Sequence, residues 1–228
     1  MTIRQPSSAS TPGSSGARTA PKRNLEQMDE EARVLLRRIV ESLAWRQLAS
    51  IDILGHCLKF VTELDRALSL FQSVHELYGE LGWTDLEAAV RDRLGSLPYP
   101  ASRLEFGVAY FVCGVAEEVA MQSYADSSCA PFAQIARSHV AASAERPEPT
   151  RFIEFCSEAS NRPQAQAYLN TWVTIARRSF GRSSTPADAR ALALGLKRMR
   201  AAEIDALFCE RLHPLLQRCG LKLPDLEG

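Results

Sequence analysis

Apolar residues recur at helical spacing along most of this chain, and one stretch is apolar on two sides. In Glu105–Ala133, Val108, Val112, Val115 and Val119 form one stripe, and Phe111, Gly114, Glu118 and Met121 form a second. A helix apolar on two sides packs against several neighbours. The segment is therefore predicted to be a central helix, running from about Ser102 to Asp126 and closed by a turn of small residues and Pro131. Its inner face mixes glutamates and a glycine with the apolar side chains.

The flanking segments keep the same period. Asn24 to Lys59 reads as a helix, charged up to Arg38 and apolar beyond it, with Trp45, Leu48, Asp52, Gly55 and His56 sharing a face. Asp52, set among Ile51, Ile53 and Leu54, is either a buried carboxylate or an exposed acid beside an apolar stripe. A second helix is predicted from Glu63 to Tyr78 and on through Gly79 and Gly82 to Leu94, each glycine weakening it by up to ~1 kcal/mol. Leu97-Pro98-Tyr99-Pro100 breaks the chain before the central helix. After Pro131 comes a helix that must end by Pro147 and Pro149. Shorter helices are predicted at Arg151–Glu158 and Arg162–Phe180, the latter stopped by Gly181. Ser184 or Thr185 caps a helix carrying Pro186 in its first turn and running on through Arg200. Ala201–Cys219 is the last helix, stopped by Gly220. No segment alternates with period two, so the fold class is all-α and a helical bundle is expected.

Composition narrows the class without changing it. The 228 residues carry 27 basic and 27 acidic side chains, so nothing asks for nucleic acid or an anionic membrane surface. No apolar run is long enough to span a bilayer. Residues 1–23 are rich in Ser, Pro and Gly and read as a disordered tail, leaving 24–228 as one helical domain. The six cysteines show no CxxC spacing and most fall in apolar helical patterns, which fits reduced thiols and a cytoplasmic location. No phosphate-binding loop, HExxH or GxSxG motif occurs.

Several segments, in order, resemble one family. The central stretch SRLEFGVAYFVCGVAEEVAMQSYADSSCAPFA resembles the central helix and following turn of the catalytic subunit of phenylacetyl-CoA epoxidase, a ferritin-like di-iron oxygenase. The likeness continues upstream in ASIDILG and GELGW, and downstream in YLNTWVTIARRSFG and LGLKRMRAAEIDALFCERLHPLLQRCGLKLPD. It covers roughly Trp45–Asp225 and implies a ferritin-like helical bundle with extra C-terminal helices.

Carried over position by position, the resemblance implies a degenerate metal site. The first-helix ligand falls on Asp52 and the second-helix Glu on Glu80, both still acids. The histidine beside the latter falls on Trp83, the third-helix carboxylate on Gly114, and the fourth-helix Glu and His on Ser143 and Arg146. Both imidazoles and two carboxylates are thus replaced, and no resident metal or other cofactor is expected. Arg146 would pair with Asp52 or Glu80 instead.

Three functions follow from that resemblance. The first is a non-catalytic or structural partner in an acyl-CoA oxygenase-type complex. It would act as a homo- or hetero-oligomer with a related ferritin-like subunit, through an apolar face such as that around Trp172. The second is a metal-independent enzyme that reuses the bundle pocket for a small aromatic or acyl-CoA-type substrate. Gly114 and Ser143 would make room in that pocket, with Asp52, Glu80 and Arg146 as acid–base or anion-binding groups. The third is an oxygenase with an improvised iron site built from Asp52, His56, Glu80 and Glu118. Asp52, Glu80 and Arg146 are the candidate catalytic residues, and Trp83, Gly114, Glu118, Ser143 and His56 the candidate pocket lining.

Overall fold

The computed structural model describes residues 24–55, 61–94, 98–143, 148–181 and 185–224, with backbone alone at 61, 62 and 92–94. The expected tail at 1–23 lies outside them, as do His56 and Arg146. The described residues form nine α-helices and two short 3-10 turns, with no strand. The chain is all-α, as the apolar period predicts. In order the helices are α1 (Glu30–Gly55), α2 (Val61–Glu80), α3 (Leu86–Leu94), α4 (Arg103–Tyr124), α5 (Ala130–Ser143), α6 (Thr150–Ser157), α7 (Arg162–Arg178), α8 (Pro186–Ala193) and α9 (Ala201–Cys219).

Helix α4 is central: it packs on α5, α6, α7 and α9, while α1 packs on α2, α3 and α8. Ser102 caps its start by accepting from the Glu105 amide at 3.1 Å. Glu105 is itself buried. Its carboxylate accepts from the Ala101 amide at 2.7 Å and from the Trp172 indole at 3.1 Å, tying α4 to α7. Two cores flank α4. One joins Val108, Val112, Val115 and Val119 to Leu169 and Val173 of α7 and to Ile204, Phe208 and Leu212 of α9. The other gathers α1, α2, α3 and α5 around Leu43, Tyr78, Leu86 and Phe132.

Helix boundaries depart from the sequence expectation in three places, each for a local reason. Helix α1 begins at Glu30 because Asp29 caps it, accepting from the Ala32 amide at 2.7 Å. The predicted single helix from Glu63 to Leu94 is two helices. Gly82 adopts φ 80°, the Gly82 amide donates to Gly79 and the Trp83 amide to Tyr78, which together make a Schellman stop. Trp83 then packs on Tyr78 with ring centroids 5.1 Å apart, and the Arg37 guanidinium lies over both rings. The predicted helix through Arg200 ends at Ala193 for the same reason: Gly195 sits at φ 70°, and the Leu196 amide donates to Ala191. The segment beyond is stitched to the α4–α5 turn. The Arg198 amide donates to the Ser123 carbonyl at 2.8 Å, and the Ser128 hydroxyl to the Leu194 carbonyl at 2.9 Å.

Candidate functional site

Helices α1, α2, α4 and α5 enclose a cavity of about 640 Å³, closed at one side by α7. Among the described residues α1 and α4 scarcely approach each other, and the space between them is the cavity. Leu54, Leu70, Leu77, Phe106, Ile135 and Ile175 supply most of its apolar wall. Asp65, Ser69, Glu76 and Glu80 of α2 are solvent-exposed lining residues, so the cavity opens along α2.

The polar centre of the cavity comes from three helices. On α4 the face turned inward is Phe106, Tyr110, Cys113 and Glu117, a stripe with +4, +3, +4 spacing. Gln47 of α1 is 2 % exposed and donates its amide N–H to Glu117 Oε1. The other carboxylate oxygen, Oε2, lies 3.5 Å from His139 Nε2 on α5. At that separation the ring nitrogen makes no aligned hydrogen bond. One Glu117 oxygen is therefore held by an amide while the second faces an imidazole. The arrangement sets a carboxylate beside an imidazole, two groups able to take part in proton transfer.

The structure distributes the sequence-predicted residues unevenly. Glu80, Gly114 and Ser143 line the cavity. Ser143 does so with its hydroxyl bonded back to the His139 carbonyl at 2.9 Å, an i−4 bond within α5. Asp52 lies outside the cavity: it is exposed and accepts from the Tyr99 hydroxyl at 2.5 Å. Trp83 is also outside, because it completes the stop of α2. Glu118 turns away from the cavity, lying 3.7 Å from Arg211 of α9 and accepting from Gln122 at 3.3 Å. The expected second stripe of α4 placed Glu118 beside Gly114; the residue that shares Gly114's face is Glu117, three positions on. Glu117 is seven residues from Tyr110 and four from Cys113, a helical spacing that the mixed chemistry of the stripe hides in the sequence. His139 shares its face with Ile135, Ser138 and Ala142, but an isolated histidine gave no reason to choose it. Gln47 carried no sequence signal.

The dimetal centre implied by the resemblance does not fit these side chains. Asp52 and Trp83 lie off the cavity, Gly114 and Ser143 offer no ligand side chain of the required kind, and no group of three or more His, Cys, Asp or Glu among the described residues could hold a metal ion. Glu210 and His213 do carry the Glu-x-x-His spacing, but both are exposed on α9, and His213 meets Gln217 at 2.7 Å. Compared with known proteins, the chain matches no family model and no curated protein. No helix among the described residues is long and apolar enough to cross a membrane.

Proposed function

We propose that this protein is a ferritin-like bundle in which the dimetal centre has given way to a small-molecule pocket. In this reading it is a metal-independent enzyme acting on a small, largely apolar substrate, with Glu117 and His139 as the proton-transferring pair. The observation that carries the reading is the cavity with that pair in its wall. A large apolar space with a few convergent polar groups is the usual form of a small-molecule site. His139 is the acid–base group, Glu117 is the carboxylate beside it, and Gln47 fixes Glu117.

The reading as a structural partner subunit has less support. It needs an apolar helix face open to a neighbour, and the face named for it is not open. Trp172 is 2 % exposed with its indole on Glu105. The exposed large apolar residues of the described chain, Val34, Leu68 and Tyr99, lie on three different segments. The improvised iron site has its proposed ligands apart: Asp52 and Glu118 face away from the cavity.

Binding of the uncharged fluorophore N-phenyl-1-naphthylamine tests the pocket. The dye is expected to bind with a blue-shifted emission, and Gly114→Leu, which takes up part of the cavity, is expected to weaken that binding in a folded protein. Undiminished dye binding in the Gly114→Leu variant would sink the reading. So would stoichiometric iron or manganese in protein expressed with added metal.

A further inference from the structure

Among the described residues, the buried side-chain nitrogens with no hydrogen-bond partner are Trp45 Nε1, Arg46 Nε and Nη1, and His139 Nε2. All three residues line the same cavity. Buried polar groups in folded proteins are nearly always paired, so a cluster of exceptions in one place calls for a missing partner. Trp and Arg can only donate, so the partner they lack is an acceptor. Arg46 adds a charge to that demand. It meets the Tyr124 hydroxyl, but the described residues give it no ion pair, and Asp188, also close to Tyr124, is already held by Lys197. A guanidinium stays protonated at any working pH, and a charge withdrawn from water needs a counter-charge.

Resting on the pocket reading above, we infer that the cavity binds a monocarboxylate with an apolar body, its carboxylate held by Arg46 with the Trp45 indole beside it. The anion is single because of the α2 wall. Glu63, Asp65, Glu76 and Glu80 line the cavity there against Arg66 alone, a setting that repels the several phosphate charges of a coenzyme A thioester. Arg46 offers the ligand Nε and Nη1, the nitrogens left unpaired beside its contact with the Tyr124 hydroxyl. The apolar body runs toward Leu54, Ala67 and Phe106, which form a small apolar cluster and all line the cavity. Gln47 holds one oxygen of Glu117, and the His139 ring lies 3.5 Å from the other.

Displacement of N-phenyl-1-naphthylamine tests this. Phenylacetate and octanoate are compared with their uncharged amides and with phenylacetyl-CoA on the full chain and on Arg46→Met and Arg46→Lys. The acids are expected to displace the dye at concentrations at least about tenfold lower than the amides or the thioester, the cost of leaving a buried charge without its partner. Arg46→Met is expected to erase that preference, and Arg46→Lys to keep part of it. Equal displacement by acids and amides, no displacement by either, stronger displacement by the thioester, or a preference that survives in Arg46→Met would each overturn the carboxylate site and leave the pocket standing. Failure of the dye to bind the unmodified protein would overturn the pocket itself, and the carboxylate site with it.

Discussion

On one face of α4, Val108, Val112, Val115 and Val119 are closed against α7 and α9; on the other, Phe106, Tyr110, Cys113 and Glu117 look into open space. The same helix serves both, about 160° of rotation separating the residues that anchor it from those that line the cavity. Burying the four valines contributes on the order of 6–12 kcal/mol gross, before conformational entropy is charged against it. That packing fixes the rotation and height of α4, and so fixes where Glu117 stands. The difference teaches how a bundle keeps a hole: the empty side is tolerated because the full side holds the helix.

The largest expected effect tests whether the closed side does hold the fold. Phe208 has no solvent exposure and packs within the closed core against Phe180, ring centroids 5.3 Å apart. Phe208→Ala is expected to cost about 3–5 kcal/mol, lowering the melting temperature by about 10 °C. Ile135→Ala, on the open side, removes atoms that already border empty space and is expected to cost about 2 kcal/mol or less. Equal losses, measured by urea unfolding, would break the comparison.

Alkali is the next lever, and it too acts on the closed side. Burial, then the adjoining Cys156 thiol, pushes the Cys219 thiol of α9 up to about 12. Its folded pKa is raised above the ordinary value of 9.0, so the native state holds a proton that the unfolded chain releases. The stabilising contribution is complete below about pH 9 and is lost as pH rises from there through about 12. Melting temperature is therefore expected to hold to about pH 9 and fall steeply above it, and Cys219→Ala is expected to flatten that fall. An unchanged alkaline slope in the variant would show that another group governs it.

Glu105 sits at the seam, since its partner Trp172 belongs to the closed core and also lines the cavity. Glu105→Ala strands the indole N–H and the Ala101 amide, at a cost of about 1–3 kcal/mol. Glu105→Gln keeps an acceptor and is expected to recover more than half of that loss. The intrinsic tryptophan emission of Glu105→Ala should shift, because Trp172 loses its hydrogen bond. A loss no larger for Ala than for Gln would mean that the carboxylate does not join the two sides.

The sequence made the closed side easy to read and the open side hard. Valine at positions 108, 112, 115 and 119 is a stripe of one residue type, and it could only be core. The open stripe mixes Phe, Tyr, Cys and Glu, so its period is hidden by changes of chemistry, and a neighbouring pair of glutamates left the register to be decided by geometry. Glu118 was the expected cavity residue because it lies four positions from Gly114; Arg211, ninety-three positions further along the chain, draws it outward, and no local pattern encodes that pair. Trp83 misled for a different reason. GELGW is a helix stop whose glycine and tryptophan serve backbone geometry and ring packing. Asp52 stayed ambiguous because its partner, Tyr99, comes from a distant loop.

The smallest effect on stability carries the most information about the cavity. Gly114 is inside α4, where glycine costs up to ~1 kcal/mol relative to a good helix former, and it lines the cavity. Gly114→Leu should therefore stabilise the protein by up to ~1 kcal/mol, raising the melting temperature by a few degrees, while it narrows the pocket. The matched change on the closed side, Val112→Leu, adds a methylene where there is no room and is expected to cost about 1–3 kcal/mol. Opposite signs for these two enlargements would establish that one face of α4 is packed and the other is hollow. A loss of stability at Gly114→Leu as large as at Val112→Leu would mean that α4 is packed on both sides and that the glycine serves close approach of another helix rather than a site.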